Sequence, residues 1–291
     1  MKRILLLLAI VVVTLTAEAQ ESFKFGKVTK ADLLKTDYPI AADADALVLD
    51  EYIQDGFFYH NVRMEYGVFR QHIVARRIKI LSDEGLNQLK FNIQFETDEA
   101  GGIGISEFYA QRYTLDNNKV VHKVFSNDNI EIEHSDNLTA IAKIDLSDAK
   151  VGDIIEYNYV AFITRTEQII NTDMGRVAPT VSSLYEAVVF NGNDIALTAV
   201  TYGDAEIAQT REQSGRLIYY TSFGGPNVNS AQGSAVYNYS RIPVKSGGGT
   251  NRASIVYSFK TNNIPVDAEP SGVRVILPND GIKEIRQTTN K

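Results

Sequence analysis

A period of two runs through this chain and fixes what it can become. Leu89, Phe91, Ile93 and Phe95 alternate with Lys90, Asn92, Gln94 and Glu96, so an extended segment here has one apolar and one polar face. Successive side chains of a strand point to opposite sides, and this pattern suits an antiparallel strand with one face on a core and the other in water. Leu138, Ala140, Ala142, Ile144 and Leu146 repeat it, and Ile155, Tyr157, Tyr159, Ala161 and Ile163 repeat it with aromatic bulk. Strands are also read at Ala46 to Tyr52, Val68 to Leu81, Ile103 to Leu115, Lys119 to Phe125 and Leu184 to Phe190. Four more are read at Ile195 to Tyr202, Leu217 to Phe223, Ala253 to Thr261 and Val273 to Leu277, because β-branched and aromatic residues are dense there.

Turn residues fall between these runs. Asp116-Asn117-Asn118 suits a tight hairpin, since Asn tolerates positive φ, and Ser82-Asp83-Glu84-Gly85 suits a reversal after Leu81. Helical signal is confined to Lys30 to Leu34 and Gly281 to Arg286, neither with a sustained apolar stripe. Thr164 to Ser183 has the weakest periodicity and reads as a long loop crossing between sheets. The fold expected is all-β, a large antiparallel β-sandwich of two packed sheets with seven or more strands each. One such domain spans residues 20–278, ahead of a polar C-terminal tail at 279–291.

The first 19 residues stand apart. Lys2 and Arg3, an apolar run from Ile4 to Leu15 and the small-residue site Ala17-Glu18-Ala19 read as a secretory signal cut before Gln20. The run is too short for a bilayer core that needs about 20 apolar residues. The expected location is therefore periplasmic or secreted, with no stable membrane span once the signal is gone. The signal holds two bases and one acid, so removing it moves the formal charge from −7 to −8. An acidic chain without a basic cluster is a poor match for a nucleic-acid backbone. The count of cysteine is 0, which removes disulfides, thiolate nucleophiles and Cys-ligated zinc and leaves stability to the core.

No motif specifies a reaction. Arg76, Arg77 and Lys79 fall close together on one strand and read as a solvated or edge-protecting stripe rather than an anion cradle. Gly101-Gly102-Ile103-Gly104 precedes a strand instead of a helix and reads as a loop or bulge. The histidines at 60, 72, 122 and 134 lack metal-ligand spacing. Asp43 and Asp45, and the run Glu131, Glu133, His134, Asp136, read as acidic surface because neither has a calcium-loop rhythm. Tyr219, Tyr220, Tyr237, Tyr239 and Tyr257 read as strand filling, with a sugar-binding platform as the alternative. No catalytic residue, cofactor site or metal site is assigned.

Three segments carry a resemblance. Ala75-Arg76-Arg77-Ile78-Lys79-Ile80-Leu81 with Asp83-Glu84-Gly85, then Val151-Gly152-Asp153-Ile154-Ile155-Glu156-Tyr157-Asn158-Tyr159, then Ile264-Pro265 with Glu269-Pro270, resemble in order and spacing the signature segments of the envelope family known as domain of unknown function 3857. The resemblance implies a β-sandwich from about Phe23 to Leu277, of the kind that usually stands in front of a transglutaminase-like domain. It also implies structural roles for the motif positions Arg77, Lys79, Gly85, Gly152, Glu156, Tyr157, Pro265 and Glu269. Two departures stand out. The chain has no tryptophan for the family's Trp-Phe-Gln cluster, offering Asp173-Met174-Gly175-Arg176 before Pro179 instead, and it has no cysteine for a Cys-His-Asp arrangement.

These readings together point to an exported, non-catalytic module that binds another cell-envelope component, a protein or an extended peptide added at a sheet edge. A glycan-binding module is the alternative, and a carbohydrate-active enzyme stands third.

Overall fold

The computed structural model describes residues 25–62, 65–96, 105–134, 139–163, 169–189, 198–213, 254–265, 268–277 and 286–287. Their elements run α1 (Lys30–Leu34), β1 (Ala46–Val62), β2 (Glu65–Ile80), β3 (Lys90–Glu96), β4 (Ile105–Asp116), β5 (Lys119–Val124), β6 (Ile130–His134), β7 (Thr139–Asp145) and β8 (Ile154–Ile163). They continue with β9 (Ile169–Met174), β10 (Thr180–Val189), β11 (Thr198–Tyr202), β12 (Glu206–Gln213), β13 (Ser254–Ile264), β14 (Ser271–Ile276) and β15 (Arg286–Gln287). The protein is an all-β sandwich, as the alternation requires.

One layer is an eight-stranded sheet in the order β12-β13-β10-β1-β2-β8-β4-β5. The other layer is divided, which corrects the expectation of two large sheets: a four-stranded sheet β15-β11-β14-β9 and a three-stranded sheet β3-β7-β6. Each covers its own part of the large sheet. Val48, Ile78 and Ile155 pack with Ile93, Ala142 and Ile144 of the three-stranded sheet. Ile53, Tyr185 and Phe259 pack with Ile170, Val273 and Val275 of the four-stranded sheet.

A bulge lets one face of β1 serve both cores. The register against β2 runs Val48 to Ile78 and then Asp50 to Arg77, leaving Leu49 as an extra residue. The alternation therefore changes phase at Leu49, and Ala46 and Val48 share a face with Ile53 and Phe57. Leu47 and Leu49 turn to the opposite face, where Leu33 of α1, Tyr38 and Ala41 cover the large sheet. Thr29 caps α1 with a reciprocal Thr29 and Asp32 capping box, which fixes where this covering segment begins its turn.

Asn117 and Asn118 take φ of 46° and 66° between β4 and β5, the two-residue turn expected there. Other expectations are corrected. Ser82 to Gly85 does not close a hairpin; it leads into a 3-10 turn over Glu84–Leu89 that carries the chain from the large sheet to β3. Thr164 to Ser183 is not one loop, since it contains β9 and the start of β10 with a crossing between them. The sheet is not wholly antiparallel either, because β1 and β10 pair in parallel once the chain has passed through β9 in the other layer. Arg286 lies in a short strand beside β11, not in a helical turn. The strand at Leu217 to Phe223 and the glycine run at 101–104 lie outside the described residues. Among the described residues no helix is long and apolar enough to cross a membrane.

Candidate functional site

The inner face of the large sheet carries a polar layer where the two covering sheets meet. Glu51 of β1 sits opposite Arg76 of β2 in the register, between Val48 on one side and Ile53 on the other. Arg76 Nε donates to Glu51 Oε1 at 2.7 Å, and Arg76 Nη1 donates to the Tyr157 hydroxyl at 2.9 Å. The other oxygen of Glu51 accepts from the Gly175 backbone N–H and the Ser183 hydroxyl, each at 2.7 Å. Burial opposes the charge on Arg76, and Tyr157 and Glu51 more than offset it, so its pKa rises above the ordinary guanidinium value.

A second cluster lies four residues along β1. Asp55, fully buried, accepts from His72 Nδ1 at 2.8 Å, from the Tyr185 hydroxyl at 3.0 Å and from the Thr172 hydroxyl at 3.4 Å, with Arg70 Nε 3.4 Å away. Burial pushes this carboxyl up, but His72 and Arg70 outweigh it, and the pKa falls below the ordinary 3.8. Thr172 belongs to β9, so Asp55 ties the four-stranded sheet to the large one.

On the outer face Arg77 donates from Nε to Glu156 Oε1 at 2.8 Å and from Nη1 to Asp50 at 2.8 Å. Glu156 Oε2 accepts from Gln111 Nε2 at 2.9 Å and from the Gly26 backbone at 2.8 Å. Lys79 is fully buried and donates to the carbonyls of Leu33 at 2.8 Å, Asp32 at 3.1 Å and Gly152 at 3.3 Å. Burial holds its pKa below the ordinary lysine value, with Asp32 and Asp153 pulling the other way. The expected solvated stripe of Arg76, Arg77 and Lys79 is therefore corrected. β2 is an inner strand of the sheet covered on both faces, and each cation has a built partner.

The crossing from β9 to β10 forms one wall of a cleft of about 460 Å³. Its apolar lining includes Ala46, Ala178, Pro179, Ile264 and Pro265, and the carboxylates of Asp43, Asp45, Asp173 and Glu269 lie around it together with the basic Arg176. Gly175 turns this wall at φ of +71°, and a Cβ there would stand 2.3 Å from Ile264 Cδ1. Asp173 is held by the Tyr202 hydroxyl at 2.6 Å and by Arg176 at 3.3 Å. Asp45 takes the Ser82 hydroxyl at 2.6 Å, while its carbonyl accepts Leu81 N and Ser82 N. The wall is thus fixed from inside by Glu51 and from outside by Tyr202. A volume of this size is in the range of ligand pockets.

The motif positions separate into two groups. Arg77, Lys79, Gly152, Glu156 and Tyr157 belong to the large sheet's buried charge pairs and the turn beside them. Gly85 packs against the Asp45 backbone, while Pro265 and Glu269 line the cleft. Glu51, Asp55 and Ser183 were not singled out from sequence, and Gly175 entered there within the segment Asp173-Met174-Gly175-Arg176. An acid inside an otherwise alternating strand, as at Glu51 and Asp55, is the signal that was there to read. His122 is exposed on β5, its ring tilted by 40° against Tyr113 at 6.0 Å between centroids; the side chains of His60 and His134 lie outside the described residues. The same holds for Tyr219, Tyr220, Tyr237 and Tyr239 and for the side chain of Tyr257. Glu133 pairs with Lys143 at the surface, and Asp136 lies outside the described residues. Among the described residues no group of three or more His, Asp or Glu is placed to hold a metal.

Fold and cleft together define a class: a β-sandwich with a divided second layer and a preformed, acid-rimmed cleft beside the crossing from β9 to β10. No family model matches the chain, and no curated protein does. Among solved structures it is similar to a chain from Parabacteroides distasonis described as a "putative protease", at 9% identity and a TM-score of 0.46. The match covers 80% of this chain and 41% of that one, so this chain spans less than half of its length.

Proposed function

We propose that this protein is an exported, non-catalytic module that binds a protein or peptide of the cell envelope, and that the cleft beside the crossing from β9 to β10 receives a basic segment of that partner. The observation that supports this is the cleft's construction. Apolar walls of Ala178, Pro179, Ile264 and Pro265 would take the stem of a lysine or arginine, and Asp43 and Glu269, both exposed at the rim, would take its charge. The wall is fixed before any ligand arrives, because Gly175 is bonded to the buried Glu51, so little ordering entropy is lost on binding. The resemblance to the family of domain of unknown function 3857 agrees with this reading.

The test is capture from an envelope fraction by the tagged, exported chain and by its Asp43→Lys/Glu269→Lys variant, in low and moderate salt. The expected result is one protein retained in stoichiometric amount by the wild type, weakened by salt and lost from the variant. Retention of the same proteins by both chains would overturn the cleft as the site. Retention of polysaccharide alone would replace this reading with the glycan-binding one.

A further inference from the structure

We propose that β5 is a docking edge for an extended segment of a protein partner, one that presents acidic residues on one face and apolar residues on the other. The strand ends the large sheet beyond β4, and all six of its residues, Lys119 to Val124, are exposed. Its hydrogen-bonding direction follows from its neighbour. Phe125 N donates to Ala110 O at 3.0 Å, so Ala110 and Phe125 are a hydrogen-bonded pair of the antiparallel ladder. Such pairs alternate with non-bonded ones, which turns the backbones of Lys119, Val121 and Lys123 toward β4 and those of Val120, His122 and Val124 away from it. Three residues with one N–H and one C=O each therefore line the open side.

The side chains divide the same way. Val120, His122 and Val124 share a face with Leu115, Tyr113 and Gln111, whereas Lys119, Val121 and Lys123 share the other with Asp116, Thr114 and Arg112. The valines are 37%, 43% and 42% exposed at 120, 121 and 124, an unusual amount of apolar surface for an open edge. Lys123 and Arg112 both reach Asp148, at 2.6 and 3.2 Å, and Arg112 Nε also stands 3.8 Å from the buried Asp153, so the lysine face carries three cations beside Asp116, Asp148 and Asp153. The outermost charges on that face are Lys119 and Lys123. A second copy would bring two lysines and a histidine against the same set with no carboxylate on the strand, which disfavours self-pairing. An added strand opposite residues 119–124 fits best when it reads acidic, apolar, two neutral residues, acidic, apolar. The edge shares no residue with the cleft.

The experiment uses the exported chain with the peptide Glu-Val-Thr-Thr-Glu-Val in a longer soluble frame, its counterpart with Lys in place of Glu, and amide hydrogen exchange read by NMR. The expected result with millimolar Glu peptide is new protection at Val120, His122 and Val124, with little change at Lys119, Val121 and Lys123. Lys119→Glu/Lys123→Glu, whose folding is checked by its melting curve, should lose about tenfold in affinity for the Glu peptide and prefer the Lys peptide. Asp43→Lys/Glu269→Lys should bind the Glu peptide as the wild type does, which separates this edge from the cleft. Absence of new protection at those three amides, equal binding of both peptides, or protection that grows with protein concentration alone would each overturn the proposal, the last in favour of a second copy.

Discussion

Glu51 and Arg76 face each other across β1 and β2 at 2.7 Å, the carboxylate buried and the guanidinium partly so, where the second layer of the sandwich is divided. Apolar residues flank the pair along both strands, and Glu51 is fully shut off from water while the Arg76 side chain is 14% exposed. Removing one partner of a buried pair leaves the other uncompensated and costs about 3–5 kcal/mol. Glu51→Gln should therefore lower the melting temperature by on the order of 10 °C. Arg76→Met alone should also cost, since among the described residues Glu51 then keeps the two neutral donors Gly175 and Ser183, and the two changes together should cost less than their sum. Denaturant unfolding of the three variants measures this. A cost under about 1 kcal/mol for Glu51→Gln would mean the pair holds nothing.

Asp55 sets an acid limit on stability. Its pKa in the folded protein lies below the ordinary 3.8, although burial alone would raise it, because His72 and Arg70 face it. A depressed carboxylate contributes stability that is complete above the unfolded value and lost as pH falls through the folded one. Stability should hold down to about pH 4 and decline below it. Asp55→Asn should be less stable at neutral pH, having given up the contacts to His72 and Arg70, and should show a shallower acid decline. Unfolding midpoints in urea between pH 6 and about pH 2 supply the comparison. An identical acid slope in both chains would assign the decline to other groups.

Alternation made most of the strands legible, yet the layering was not, and Leu49 shows why. A single extra residue in β1 exchanges inside for outside, so a reader counting by twos assigns half the strand to the wrong face. β9 and β12 were missed because each is rich in acids, amides or threonine, whereas β6 alternates Ile130 and Ile132 with Glu131 and Glu133 and reads as acidic surface although its isoleucines pack on the core. The cations of β2 illustrate the same limit for the site. Arg76, Arg77 and Lys79 look like surface until Glu51, Glu156 and the carbonyls of α1 are brought to them from far along the chain. The cleft was harder still, since Asp43, Gly175 and Glu269 meet only through the crossing from β9 to β10.

The leader prediction is independent of the fold. With a small-residue site at Ala17-Glu18-Ala19, the exported protein should begin at Gln20. N-terminal sequencing or intact mass of material recovered from outside the cytoplasm decides it. Ala19→Arg should block the cut and leave a longer chain attached to the membrane. Recovery of a wild-type chain that still begins at Met1 would point to a retained anchor instead.

Two glycines of the motif segments, Gly85 and Gly152, should respond differently to the same change. A Cβ at Gly85 would stand 2.1 Å from the Asp45 carbonyl oxygen and 2.8 Å from its carbon, backbone atoms that cannot swing aside. The same atom at Gly152 meets nothing within 4 Å, and only its φ of +91° opposes a side chain. Left-handed backbone costs a residue with a Cβ about 1–2 kcal/mol. Gly152→Ala should therefore lose about that much and little else. Gly85→Ala has to move Asp45, whose carbonyl accepts Leu81 and Ser82 and whose side chain lines the cleft. It should cost more stability, about 1–3 kcal/mol from overpacking, and also weaken capture of whatever the cleft binds. Melting curves and the capture assay on both variants test the pair. Equal losses in both assays would mean the contact with Asp45 matters to neither.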